Sequence, residues 1–260
     1  MKENDPRLKE FGRLLDIIDE LREKCPWDRE QTYESLRKLT IEETYELADA
    51  VISGDDNAIR DELGDLMLHL VFYAKIGSER GKFNIEDVLK GINKKLVYRH
   101  PHVFGDIRVN GSEDVKKNWE KLKTEESNVY KPVLSGVPSS LPAIIKANRI
   151  QEKVKGVGFD WENPEQVWDK VLEEINEVKQ ELSEGSKEDI ESEIGDVFFS
   201  LINAARLYGI DPEAALEKTN RKFMNRFKYL EKKTLEKGRS LHEMTLDEMN
   251  AIWDQAKKDE

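Results

Sequence analysis

Apolar residues recur every three or four positions along most of the chain, which is the period of an amphipathic α-helix. Alternation of apolar and polar residues, the sign of a half-buried strand, does not persist for more than a few positions. The sequence therefore predicts an all-α protein. The predicted helices span residues 8–24, 31–53, 56–80, 85–99, 112–125, 140–153, 164–184, 187–208, 212–237 and 245–258.

The same acidic pattern occurs twice, in the same order and with the same spacing. The first copy comprises Glu42, Glu43, Glu46, Glu62 and Asp65, and the second comprises Glu173, Glu174, Glu177, Glu193 and Asp196. Each residue of the second copy follows its counterpart by 131 positions. A structural helix pair needs only its apolar spacing to recur, so a repeated set of carboxylates indicates a duplicated module with a chemical function.

A basic pair and a tryptophan recur downstream of the acidic residues. Lys95 and Arg99 are matched by Lys222 and Arg226, and Trp119 is matched by Trp253. A lysine and a bidentate arginine four positions apart suit a polyphosphate, and an indole ring can stack on any base. As alternatives, the basic pair could form an ordinary solvated face, and Trp253 could be a core residue.

Proline, glycine and serine are concentrated between the two copies, in residues 131–142, and predict a linker. This linker separates a first helical domain, residues 1–130, from a second, residues 143–260, each near the usual domain size. In each domain a short turn, at Gly54 or Gly185, joins the two acidic helices. These helices are therefore predicted to pack antiparallel as a hairpin.

The composition narrows the classes of partner. The chain carries 54 acidic against 42 basic residues and a formal net charge of −12, which argues against sequence-independent binding of nucleic acid. The acidic charge does not exclude binding of a single nucleotide by a few lysine or arginine side chains. The single cysteine, Cys25, excludes an intramolecular disulfide and fits a reducing compartment. The sequence contains no apolar stretch of about 18 residues, the length needed to span a membrane. We therefore expect a cytoplasmic protein that does not bind membranes.

The carboxylates of the second copy predict a divalent metal site. Glu174 and Glu177 lie three positions apart on one helix and therefore share a face. Glu193 and Asp196 have the same relation on the next helix. If the hairpin turns these pairs toward each other, four like charges repel unless a cation lies between them. Oxygen ligands suit a hard ion, and Mg²⁺ is the usual choice where phosphates share the coordination.

The alternative is that these carboxylates face solvent, as most charged runs do. The helix that carries Glu193 and Asp196 argues against this, because residues 190–208 are apolar on nearly all sides and predict a buried helix. Buried carboxylates are rare unless they are paired or bound to metal. A polar ridge continues past them to Ser200, whose counterpart in the first copy is His69.

Together these features resemble the MazG family of nucleoside triphosphate pyrophosphohydrolases, in the two-domain form of the all-α NTP pyrophosphatase group. The signature of that group is Glu-Glu-x-x-Glu followed by Glu-x-x-Asp, and its two-copy form covers nearly the whole chain. Three further stretches resemble the two-domain members: Cys25-Pro26-Trp27-Asp28, Tyr98-Arg99-His100-Pro101-His102-Val103-Phe104-Gly105 and Gly158-Phe159-Asp160-Trp161.

The resemblance implies an enzyme that uses Mg²⁺, with Mn²⁺ as a substitute, to convert an NTP or dNTP to the monophosphate and diphosphate with broad base tolerance. The implied Mg²⁺ ligands of the second copy are Glu174, Glu177, Glu193 and Asp196, and the matching positions of the first are Glu43, Glu46, Glu62 and Asp65. The implied nucleotide contacts are Lys170, Glu173, Lys222, Arg226 and Trp253. Glu173 or Glu177 is the candidate general base.

The family also implies a homodimer, in which paired subunits complete four-helix cores. Two alternative functions stay open. One is a non-enzymatic module that senses nucleotide or metal and acts through a protein partner, which turnover would exclude. The other is a pyrophosphatase restricted to one substrate, such as dUTP or phosphoribosyl-ATP.

The two copies differ directly after the basic pair. Arg99 is followed by His100 and Pro101, and proline disfavours helical geometry in the residue before it. Arg226 is instead followed by an uninterrupted helical stretch. We therefore expect the second copy to dominate catalysis, and the first to serve mainly in assembly or on another substrate.

Overall fold

The computed structural model of the chain describes residues 5–111, 114, 115, 118, 119, 122, 132–236 and 238–259, apart from the side chain of Glu184. These residues form α-helices and two short 3₁₀ segments, with no β-strand among them, which confirms the predicted all-α class. The predicted helix 112–125 falls largely outside the described residues. None of the described helices is both long and apolar enough to cross a membrane.

The chain divides into two compact units, Met1–Ser127 and Asn128–Glu260. The helices of the first unit are α1 (Pro6–Lys24), α2 (Pro26–Arg29), α3 (Tyr33–Ser53), α4 (Asp56–Glu79), α5 (Ile85–Arg99) and α6 (Pro101–Phe104). α3 and α4 pack along each other as an antiparallel hairpin, because only Gly54 and Asp55 separate them. α1 and α5 both pack against α4.

The second unit repeats the hairpin. Its helices are α7 (Ala143–Lys155), α8 (Gln166–Glu184), α9 (Lys187–Leu207), α10 (Pro212–Glu236) and α11 (Leu246–Lys258), with 3₁₀ segments at Val133–Gly136 and Leu241–Glu243. α8 and α9 form the antiparallel pair, α7 packs on α9 and α10, and α11 packs on α10.

The two hairpins have turns of equal length and different geometry. Gly54 ends α3 in the left-handed conformation (φ 71°, ψ 25°) that glycine favours, and the Asp55 carboxylate accepts the first backbone N–H groups of α4. Gly185 is extended (φ −87°, ψ 167°), and Ser186 caps α9 in a reciprocal capping box with Asp189. The equal spacing keeps both hairpins in one register, so residues 131 positions apart are structural counterparts.

Two helix ends matter for the candidate site. α5 ends at Arg99, and His100 leaves helical geometry (φ −120°, ψ 57°) directly before the proline that follows it. α10 instead continues past Arg226 to Glu236. The basic pair of the first copy therefore lies at a helix end, and that of the second lies inside a helix, as the sequence predicts.

The core of the first unit lies where α1, α3 and α4 meet. Its buried side chains are Ile18, Leu36, Val71, Phe72 and Ile76. Burying one such side chain contributes roughly 1.5–3 kcal/mol, so this core holds the hairpin against α1. In the second unit, buried apolar residues come from all of the helices α8 to α11, including Val167, Val171, Ile202, Leu230 and Ile252.

A mostly buried ion pair anchors the loop before α8 to α9. The Arg206 guanidinium binds both carboxylate oxygens of Asp160, with Nη1 3.2 Å from Oδ2, and the two side chains are 8% and 18% exposed. Arg206 Nη2 also donates to Asn203 Oδ1 at 2.7 Å. Burial acts to raise the pKa of Asp160, but the hydrogen bonds and charge of Arg206 outweigh it and lower that pKa.

Arg22 of α1 anchors the loop that leads into α3, but through the backbone. Its guanidinium donates to the carbonyl oxygens of Asp28 (2.5 Å), Arg29 (3.1 Å) and Gln31 (3.1 Å). The same group pairs with Glu79 of α4. Each unit thus fixes a loop with a partly buried arginine, through carbonyl oxygens in the first unit and through a carboxylate in the second.

One apolar stripe on the second helix of each hairpin is exposed. It comprises Leu63, Met67 and Leu70 on α4 and their counterparts Ile194, Phe198 and Leu201 on α9. Phe198 is 62% exposed, so the prediction that residues 190–208 form a buried helix is wrong for the single chain. Among the described residues of α9, only Ser200, Ile202 and Ala204 are buried by the helices of the unit.

Candidate active site

Three carboxylates of the second hairpin converge. One oxygen from each of Glu174 and Glu177 on α8 and of Glu193 on α9 lies within 4.8 Å of the others. The two α8 residues share a face because they are three positions apart, and the antiparallel turn brings Glu193 opposite them. Asp196 is exposed and lies outside this set of three.

The second cluster is electrostatically strained. Glu174 is only 7% exposed. The Glu174 carboxyl raises the pKa of Glu177 through a hydrogen bond and through its charge, with burial acting in the same direction. Burial raises the pKa of Glu193, and the charges of Asp196 and Glu174 add to the effect. Glu177 and Glu193 therefore hold a proton more tightly than an isolated carboxylate does, as expected where like charges are desolvated together.

Lys170 supplies the positive charge of the second cluster. Its Nζ lies 2.7 Å from Glu173 Oε1 and 2.8 Å from Glu174 Oε1, one turn along α8. These contacts, first with Glu173 and then with Glu174, raise the pKa of Lys170 and keep it charged. Glu173 is exposed and takes no part in the set of three carboxylates.

The first hairpin forms a similar cluster from Glu43 on α3 and from Glu62 and Asp65 on α4, again within 4.8 Å. Burial raises the pKa of Glu43 and of Glu62, and neighbouring carboxylates raise both further. Among the described residues, buried Glu62 Oε2 has no hydrogen-bond partner. Glu46 is exposed and lies outside the set, although its charge contributes to the raised pKa of Glu43.

The position of Lys170 is occupied by Leu39 in the first copy, where the side chain packs against the core. The position of Ser200 is occupied by His69, which is 7% exposed and has a buried Nδ1 without a partner among the described residues. Burial lowers the pKa of His69, and the charge of Asp65 acts in the opposite direction without outweighing it. At the position from which Lys170 contacts Glu174 in the second copy, the first copy therefore has an apolar side chain.

The arginine of each basic pair contacts the repeated tryptophan. The Arg226 guanidinium lies 6.0 Å from the ring centroid of Trp253, and the Arg99 guanidinium lies 5.4 Å from that of Trp119. Such a cation–π contact orients both groups. Lys222 is exposed at the preceding turn of α10. The half-buried Trp253 also packs against Phe223, with centroids 4.9 Å apart.

The tryptophan of the first copy has an additional neighbour. His100 approaches Trp119 edge to face, with ring centroids 4.8 Å apart. The His100 ring is held in place because its Nδ1 donates to the Leu96 carbonyl oxygen at 2.7 Å. His100 therefore covers part of the Trp119 ring, as Phe223 does for Trp253.

The donor sets of both clusters fit a hard divalent cation. Among the described residues, each set offers three carboxylate oxygens and contains neither histidine nor cysteine. This is the ligand type of Mg²⁺ and Ca²⁺ rather than of zinc. Burial, a hydrogen bond between Glu174 and Glu177, and repulsion between neighbouring carboxylates raise the pKa values in these clusters. A divalent cation would relieve the repulsion.

Comparison with known proteins relates the chain to a described family. The model of the MazG nucleotide pyrophosphohydrolase domain matches residues 31–104 and 162–230. The chain is 42% identical over 250 residues to the nucleoside triphosphate pyrophosphohydrolase/pyrophosphatase MazG of Thermotoga maritima, covering 95% of each protein. It is 40% identical over 260 residues to the nucleoside triphosphate pyrophosphohydrolase of Escherichia coli K12, covering 97% of this chain and 99% of that protein.

A solved structure, the mazG-related protein from Thermotoga maritima, is 27% identical and aligns with a TM-score of 0.40 over 44% of this chain and 98% of its own. Each segment matched by the domain model contains one of the two carboxylate clusters. Together with relatives that are at least 40% identical over nearly their full length, the repeated match establishes the family. The chain is a member of the MazG nucleotide pyrophosphohydrolase family.

Proposed function

We propose that this chain hydrolyses nucleoside triphosphates or deoxynucleoside triphosphates to the monophosphate and diphosphate, mainly at the second carboxylate cluster. Family membership identifies the chain as a hydrolase of phosphoanhydride bonds. The observation that carries the finer proposal is the convergence of Glu174, Glu177 and Glu193 within 4.8 Å on one rigid hairpin.

The proposed Mg²⁺ ligands are Glu174, Glu177, Glu193 and Asp196, with Glu43, Glu46, Glu62 and Asp65 as their counterparts in the first copy. When bound, Mg²⁺, or Mn²⁺ in its place, would neutralise phosphate charge and activate water for attack on the α-phosphorus. The carboxylates of the chain would hold the ion in place. The electrostatic influence of Asp196 on Glu193 supports its inclusion as a fourth ligand.

The proposed nucleotide contacts are Lys170, Glu173, Lys222, Arg226 and Trp253. The guanidinium and ammonium groups of α10 would stabilise charge that develops on the phosphates. The Trp253 ring, oriented by Arg226, would stack on the base, and stacking alone gives broad base tolerance. Glu173 or Glu177 would accept the proton of the attacking water.

Phosphorus NMR of the reaction products tests this proposal directly. With Mg²⁺ and ATP, we expect AMP and diphosphate to form in equal amounts, and the same cleavage with other NTPs and dNTPs. Removing the metal with a chelator should stop the reaction. ADP and orthophosphate would instead mean attack at the γ-phosphorus. Binding of nucleotide without turnover would favour a non-enzymatic sensing module, and turnover of one nucleotide alone would indicate a restricted enzyme.

We also propose that the chain forms a homodimer through the exposed stripes of α4 and α9. Both stripes have the i, i+4, i+7 spacing of a helix-packing surface, and their positions coincide in the two copies. Pairing them between subunits would complete a four-helix core around each hairpin.

Sedimentation analysis of Phe198→Glu and Met67→Glu variants tests the dimer. Each substitution places a charge in the stripe, so both should shift the protein from dimer to monomer at micromolar concentration. Exposed Phe83, which lies outside the stripes, provides the control variant Phe83→Glu. A monomeric native protein, or an unchanged dimer in both stripe variants, would contradict this assembly.

A further inference from the structure

Lys170 pairs with one of the three carboxylates of the proposed metal site. Its ammonium group lies 2.8 Å from Glu174 Oε1, and Glu174 is the most deeply buried member of the second cluster. A buried carboxylate without a compensating charge is unfavourable, so Lys170 stabilises the site while no divalent cation is bound. The first copy, with Leu39 at this position, has no such arrangement.

Lysine and a divalent cation compete for the same carboxylate. Both need the oxygens of Glu174, and two cations in contact with one oxygen repel each other. Lys170 has freedom to leave, because its side chain is about one third exposed and carried on a flexible stem. Glu173, on the solvent side of Lys170 and 2.7 Å from its Nζ, offers a second partner during the exchange.

We propose that Lys170 is a displaceable counterion, which holds Glu174 in the metal-free site and turns to the polyphosphate when a divalent cation takes Glu174. The inference rests on the proposed function, since it takes the second cluster as the metal site. Metal binding then does two things at once: it supplies its own charge, and it releases an ammonium group toward the substrate. Metal and nucleotide binding are thereby coupled through one side chain.

This mechanism predicts effects of opposite sign for one substitution. Without Lys170, nothing competes for Glu174, so a divalent cation alone should bind more tightly. The polyphosphate loses a cationic contact, so the nucleotide should bind more weakly in the presence of the metal. A lysine with a purely structural role would weaken both, because its loss would disorder the carboxylates.

The experiment uses the full chain with Glu62→Gln, which removes a carboxylate of the first cluster. In this background, Lys170→Met is compared with native Lys170. Titration calorimetry measures Mn²⁺ alone, and then a triphosphate with a methylene bridge between the α- and β-phosphorus atoms in saturating Mg²⁺. We expect Mn²⁺ affinity to rise about fivefold and affinity for the analogue to fall about tenfold. Lys179→Met removes the same charge from an exposed site on α8 and should change neither. The affinities of Lys170→Arg for Mn²⁺ and for the analogue should lie between those of native Lys170 and Lys170→Met.

Weaker or unchanged Mn²⁺ binding in Lys170→Met would overturn the inference. If this variant does not fold, Lys170→Gln is tested by the same titrations. The readouts need no turnover, so they are independent of the reaction products. A native enzyme that releases diphosphate but lacks the opposite shifts would refute only the counterion role. Opposite shifts in a protein without turnover would refute only the proposed reaction.

Discussion

Glu177→Gln is expected to reduce NTP hydrolysis by about a hundredfold or more, whereas Glu46→Gln should leave most of the activity. Glu177 belongs to the converging set of three carboxylates and is also a candidate general base, and such groups contribute about 10²–10⁴ in rate. Glu46, its counterpart, is exposed and lies outside the first set. Diphosphate release under saturating Mg²⁺, measured for both variants and for the unmodified protein, gives the comparison.

The proposed nucleotide contacts also favour the second copy as the more active one. Arg226 is held inside α10, where its backbone is fixed on both sides, whereas Arg99 is the last residue of α5. Each tryptophan is contacted by an aromatic ring, Trp119 by His100 and Trp253 by Phe223, so this contact does not distinguish the copies. Loss of activity in the Glu46 variant alone would reverse the ranking. Equal partial losses would mean two working sites.

Asp160→Asn is expected to destabilise the second unit by about 3 kcal/mol, and to lower its melting temperature by roughly 10 °C. The substitution leaves the Arg206 guanidinium, only 8% exposed, without its counterion. The value is at the lower end of the range for buried pairs because Asp160 keeps 18% exposure. Calorimetry of both proteins in the absence of metal and nucleotide provides the measurement.

The stability loss caused by Asp160→Asn should depend on pH in a characteristic way. Because the pKa of Asp160 is lowered in the folded protein, the ion pair contributes its full stability above the unfolded pKa of about 3.9. That contribution is lost as the pH falls through the lowered folded value. The difference between native protein and variant should therefore be constant near neutral pH and shrink below about pH 4.

Asp28→Asn is the matched control. Arg22 binds the backbone carbonyl oxygen of Asp28, which the substitution preserves, so a smaller loss of stability is expected. If Asp28→Asn destabilised the protein as much as Asp160→Asn, loss of the Arg206 pair would not explain the effect.

Helical periodicity was sufficient to predict most of the fold. The hairpins α3–α4 and α8–α9 have observed ends within three residues of the predicted ones, because their turns carry strong local signals such as Gly54 and Ser186. Short helices were not predicted: α2 and α6 span four residues each and begin at a proline, a length at which apolar periodicity carries no information. The burial of residues 190–208 was also mispredicted, because an apolar helix surface does not reveal whether its cover lies in the same chain.

Much of the candidate site could be predicted from the sequence, because its residues are close together along the chain or are brought together by one short turn. Glu174 and Glu177 share a helix face at i, i+3, and the turn length brings Glu193 to them. Lys170 was predicted as a nucleotide contact, but its ion pair with Glu174 was not, although the difference from Leu39 is visible once the copies are aligned. The pair of Arg206 and Asp160 joins residues 46 positions apart, and no periodic signal links such positions.

The length of the hairpin turn determines which residues of the second helix face the carboxylates of the first, and it is equal in the two copies. In an α-helix each residue adds about 100° of rotation and 1.5 Å of rise. Inserting one residue after Gly185 would therefore turn the start of α9 so that Glu193 no longer faces α8, even though every functional residue remained. Turn sequences can diverge, as left-handed Gly54 and extended Gly185 already do, but their length cannot. A change of turn length within a hairpin would dismantle the carboxylate cluster while leaving both helices intact.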